Sequence, residues 1–103
     1  MRKAPPAVAA QHCIVRCHTV HAEYEPEFLA AHCADGAWAA LFRRGDGYLG
    51  RELRTLPDGR YRTIDRWRSQ ADWERFHVRH AAACALLDAA CAAFILDQRQ
   101  ESP

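Results

Sequence analysis

Apolar and polar positions mix at strand length over Cys13–His21 (CIVRCHTVH), which predicts a first strand. Glu25-Pro26-Glu27 then reads as a helix start, because proline suits the first turn and acidic residues suit the positive end of the helix dipole. That helix carries Phe28, Leu29 and His32 and is interrupted at Ala34-Asp35-Gly36. Asp35 is expected to cap a second short helix bearing Trp38, Leu41 and Phe42, which Gly45-Asp46-Gly47 ends. Tyr48–Leu56 and Arg60–Arg68 are two strands around Pro57-Asp58-Gly59, a hairpin turn. Ser69 is a good N-cap for a helix from Gln70 through His80, and an alanine-rich helix follows over Ala81–Ala92. Phe94–Arg99 closes the chain as a fourth strand.

The order β, α, β, β, α, β is the split βαβ pattern of a ferredoxin-like α+β fold. It predicts a four-stranded antiparallel sheet with helices on one face. The folded domain is expected over residues 13–99, with a loose tail over 1–12 and a short C-terminal tail over 100–103.

Side chains alternate along the third strand. Tyr61, Thr63, Asp65 and Trp67 share one face, and Arg60, Arg62, Ile64, Arg66 and Arg68 share the other. The tryptophan face is the one expected to look toward the helices. A three-residue turn sets Leu49 opposite Trp67, Arg51 opposite Asp65 and Leu53 opposite Thr63. A two-residue turn would set Glu52 against Asp65 and Arg51 against Arg66, so the first register is preferred. On the first strand, His18 shares a face with Ile14, Arg16 and Val20.

Composition adds limits. The 103 residues carry a net charge of +1, which exerts no global pull on nucleic acid or an anionic membrane. The arginine-rich strand face has no aromatic interleaving, so nucleic acid is not expected as a partner, and with no apolar run of 18 residues neither is a membrane. Half of the residues are hydrophobic, but twenty are alanine and only 19 are Leu, Ile, Val or Phe. So small a core predicts a homodimer that completes its burial across an interface. The five cysteines form no C-x-x-C pair and are odd in number. With no signal-peptide pattern at the start, reduced thiols and a cytoplasmic location are expected.

Gly47-Tyr48-Leu49-Gly50-Arg51-Glu52-Leu53, the Asp-Gly turn, and Tyr61-Arg62-Thr63-Ile64-Asp65-Arg66-Trp67-Arg68-Ser69 resemble the antibiotic biosynthesis monooxygenase family. The likeness spans about Cys13 to Arg99. It implies a dimeric α+β barrel and a cofactor-independent monooxygenase acting on a small aromatic or quinol-like molecule, with no cofactor and no metal. Trp67 stands where family members have their pocket tryptophan. Thr63 and Trp73 stand where the polyketide oxygenases have an asparagine and a tyrosine, and Leu53 lies near the place of another tyrosine.

Such chemistry needs a dry cleft, a group that takes a proton and a donor facing the oxyanion. The catalytic candidates are His18, His77 and the Arg51–Asp65 pair. Phe28, His32, Trp38, Leu53, Thr63, Trp67 and Trp73 are the candidate substrate-binding walls, around a chamber beneath Trp67. A non-catalytic small-ligand-binding protein is the first alternative, and ordinary core packing is the plain reading of the tryptophans. A second alternative is haem binding or degradation, with His77 or His80 as axial ligand. His77, His80 and Cys84 share one helical face and could make a metal edge, though without a fourth ligand.

Overall fold

The computed structural model describes residues 11–102. Its strands are β1 (His12–Val20), β2 (Tyr48–Thr55), β3 (Tyr61–Trp67) and β4 (Ile95–Glu101). Its helices are α1 (Glu25–His32), α2 (Ala37–Phe42), α3 (Gln70–Arg79) and α4 (Ala81–Cys91). The sheet is antiparallel in the order β2-β3-β1-β4, the split βαβ arrangement expected from the sequence. β1 begins one residue before the expected boundary, and β4 runs two residues past Arg99. Residues 1–10 of the expected tail lie outside the described residues.

β3 alternates strictly: Tyr61, Thr63, Asp65 and Trp67 are buried while the residues between them are only half-buried. The Pro57-Asp58-Gly59 turn has three residues, closed by Leu56 N–H to Arg60 O at 2.8 Å and by Gly59 at φ +87°. Arg51 therefore faces Asp65 and Leu53 faces Thr63, as the charges predict. The expected Leu49–Trp67 pairing is not formed. Gly50 adopts φ +138°, β2 carries a bulge there, and Tyr48 takes the place opposite Trp67. Leu49 is left 53% exposed.

Ser69 caps α3 as expected, its hydroxyl accepting from Asp72 N–H at 3.1 Å. Asp35 does not cap α2. Gly36 holds that position, because a Cβ there would strike the carbonyls of Ala30 and Ala31. The main core lies where α2 and α3 cover β3: Trp38, Leu41, Phe42, Trp67 and Phe76 pack together. Phe42 meets the Trp67 and Phe76 rings edge-on, with centroids 5.9 and 5.4 Å away.

Candidate active site

The inward positions of β1 are Ile14, Arg16 and His18. They face the helices because the period of two puts them on the same side as Thr63 and Asp65 of β3. α4 packs against α2 and α3. The space between it and the β1–β4 half of the sheet is a cleft with a cavity of about 380 Å³, inside the range of about 300–1,000 Å³ usual for small-molecule sites. His18, Arg16 and Gln98 form its floor, His32 and Trp38 one wall, and Asp88 and Cys91 of α4 its roof. Arg51 reaches in from β2.

His18 is 2% exposed and both of its ring nitrogens are engaged. Nδ1–H donates to Gln98 Oε1 at 3.0 Å, and the Thr63 hydroxyl donates to Nε2 at 2.8 Å. This is the neutral tautomer. Burial pushes His18 down from 6.5 to about 3, and the neighbouring His32 and Arg51 add to the effect. His32 stacks on Phe28, with ring centroids 4.1 Å apart. Its Nδ1–H donates to Phe28 O at 3.0 Å, which leaves Nε2 with a lone pair. Burial lowers His32 to about 4, partly opposed by the Phe28 bond.

Arg51 and Asp65 meet in two hydrogen bonds, Nε to Oδ1 at 2.8 Å and Nη2 to Oδ2 at 2.7 Å. Arg51 Nη1 also donates to His32 O at 3.3 Å, so the guanidinium ties the sheet to the last turn of α1. Tyr48 donates its hydroxyl to Asp65 Oδ1 at 2.9 Å. Burial, then the Asp65 charge, raises the Tyr48 hydroxyl far above its usual range and keeps it protonated. Asp65 thus accepts three donors and is fully satisfied without solvent.

The structure brings four of the sequence candidates to one cavity: His18, His32, Trp38 and Arg51. Asp65 and Thr63 stand behind them, holding Arg51 and His18. Phe28 supports His32 from behind and does not line the cavity. Leu53 does not line it either. His77 borders a second pocket of about 160 Å³ that shares Arg16, Trp38, Asp88 and Gln98 with the first and extends the cleft toward α3.

The chamber expected beneath Trp67 is filled. Trp67 is 0% exposed, and the crevice it shares with Trp73 has no room for a water molecule. The bulge at Gly50 brings Tyr48 against the indole at a centroid distance of 5.0 Å, and Phe76 closes the other side at 5.2 Å. Trp73 packs instead on His77 and His12. His77 borders the extension of the main cleft, and His80 borders a separate pocket of about 170 Å³ on the other side of α3 from it, so the structure does not bring the two to one cavity. Among the described residues, no three His, Cys, Asp or Glu side chains are placed to share a metal ion.

Gln98, Asp88, Cys91 and Arg16 are site residues the sequence analysis did not single out. Pairing β4 with β1 at a period of two would have set Gln98 beside His18. Asp88 and Cys91 carry no such signal, since an alanine-rich helix gives few clues to its inward face. A shallower depression of about 480 Å³ between α2 and α4 is lined by alanines and leucines with Arg44 as its one charged group, so it offers nothing for proton transfer. Among the described residues, no helix is long and apolar enough to cross a membrane.

No family model and no curated protein matches the chain. Solved structures do. SnoaB, a cofactor-independent oxygenase from Streptomyces nogalater, aligns over 90% of this chain and 92% of its own, with a TM-score of 0.63 and 21% sequence identity. The structure of an asparagine-to-alanine mutant of SnoaB aligns over the same shares, with a TM-score of 0.65. At that identity the likeness is one of fold: the chain shares the α+β architecture of a cofactor-independent oxygenase.

Proposed function

We propose that the chain is a cofactor-independent monooxygenase of a small aromatic or quinol-like molecule, working in the cleft between α4 and the β1–β4 floor. One observation carries the reading: a ligand-sized cavity in which a neutral histidine with a free lone pair and a buried guanidinium converge. The fold shared with SnoaB supports it.

His32 Nε2 takes the proton of an acidic C–H or O–H of the substrate. His32 is a weak base in the empty cavity, and the anion formed beside it raises its proton affinity at the moment it is needed. Arg51 faces the oxyanion and stabilises it, held in place by Asp65. The resulting carbanion gives one electron to dioxygen, the two radicals combine to a peroxide anion that takes the proton back from His32, and loss of water from the hydroperoxide leaves a carbonyl. For an anthrone, one CH₂ and one O₂ become one C=O and one H₂O. His18, engaged at both nitrogens, positions Thr63 and Gln98 and is the poorer base. A pairing of two copies of the chain through the outer sheet face belongs to the same proposal, and size-exclusion chromatography with light scattering tests it.

The test is oxygen uptake with a panel of anthrones and 1-naphthols, with quinone formation followed by absorbance. Uptake in equal molar ratio to quinone, lost in His32→Gln while the circular dichroism spectrum is retained, is the expected result. Saturable ligand binding with no uptake above the uncatalysed rate would establish the non-catalytic binding protein instead.

A further inference from the structure

We propose that the ligand of this cleft carries an acid group and that Arg16 receives it. The inference rests on the cleft being the substrate site and adds the substrate's charge class.

Arg16 is at the middle of β1, an interior strand, on the inward face between Thr63 of β3 and Gln100 of β4. It borders both connected parts of the cleft and the crevice at Trp67. Nine other arginines each have a carboxylate within 4.0 Å. Among the described residues Arg16 has none. Arg44 and Arg79 share that lack, but they are exposed on the helical surface, where water solvates them. Arg16 is only half-buried, yet it faces an internal cleft, and the neighbours on its floor and wall, His18 and His32, are held neutral and cannot neutralise it.

Half-buried at the cleft floor with no carboxylate within 4.0 Å among the described residues, the Arg16 guanidinium has donors left for a ligand, and an incoming carboxylate supplies a direct partner. Its planar fork matches a carboxylate in two parallel hydrogen bonds, which also fixes orientation. Two carboxylates border the cavity besides Asp65 behind Arg51. Asp97 is held by Arg99 at 2.9 Å. Asp88 looks down from α4 onto the same two pockets. It repels an acid group from the roof and so favours its seating on the floor, at Arg16. The opposite end of the ligand then lies toward Arg51 and His32.

Direct binding tests this separately from turnover. The probes are anthraquinone-2-carboxylate and anthraquinone-2-carboxamide, titrated calorimetrically into wild type, Arg16→Met and Arg16→Lys. In wild type the acid is expected to bind about ten-fold or more tighter than the amide, the scale of a charge-assisted hydrogen bond. Arg16→Met should abolish the difference and Arg16→Lys should keep part of it. Equal binding of acid and amide to wild type, or a preference that survives in Arg16→Met, overturns the proposal. Tight acid binding without oxygen uptake overturns the oxygenase reading alone. Oxygen uptake with neutral anthrones and no preference for the acid overturns this inference alone.

Discussion

The carboxylate of Asp65 grips the guanidinium of Arg51 through both of its oxygens, with side chains 3% and 2% exposed. Removing one partner leaves the other charge buried, which typically costs about 3–5 kcal/mol. Asp65→Ala is therefore expected to lower the unfolding free energy on that scale in urea titrations. The double variant Arg51→Met/Asp65→Leu should lose less than the two single changes together. Additive losses would show that the pair is not coupled.

His18 and His32 give the fold an acid-labile point. Their folded-state values lie near 3 and 4, below the 6.5 of the unfolded chain. Between those limits the unfolded chain holds protons that the folded one refuses, so stability falls as pH drops from 6.5 toward 4. Each histidine contributes a slope of about 1.4 kcal/mol per pH unit. Urea midpoints at pH 7.5 and 4.5 check this, and the double variant His18→Gln/His32→Gln should flatten the difference.

Trp67 belongs to the core, and its replacement should act on stability rather than on ligand affinity. Trp67→Ala is expected to cost about 3–5 kcal/mol. Trp67→Phe should cost less, because the indole N–H it removes is buried without a hydrogen-bond partner among the described residues. A thermal melt of both variants decides the order.

Gly47 has φ +89°, and a Cβ there would run into the Asp72 carboxylate. Asp72 joins Arg68, Ser69 and Arg75 at the start of α3. Gly47→Ala should therefore cost about 1–3 kcal/mol from the backbone alone. It should also loosen the first turn of α3, readable as faster amide exchange at Asp72 and Trp73.

Much of this was legible in the sequence for local reasons. The three-residue turn and the opposite charges at Arg51 and Asp65 suffice to set the β2–β3 register. Alternation on β3 suffices to turn Thr63, Asp65 and Trp67 inward. What failed depended on distant neighbours. Whether Trp67 lines a chamber or fills one is decided by Tyr48 and Phe76, and Tyr48 is there only because Gly50 allows a bulge. The site's roof, at Asp88 and Cys91, comes from a helix whose residues carry no strong pattern. His18 and His32 showed as inward histidines, but which of them keeps a free nitrogen depends on Gln98 and Phe28, one far along the chain and one a helical turn away.

The bulge in β2 makes Leu49 the extra residue of its strand, with no partner across the ladder. Excising that one residue would let Tyr48 adjoin Gly50 while still facing Trp67, and leave Arg51 on Asp65. The chain should accept this deletion with little change in melting temperature, whereas removing Glu52, two positions inside the register, would turn the strand inside out.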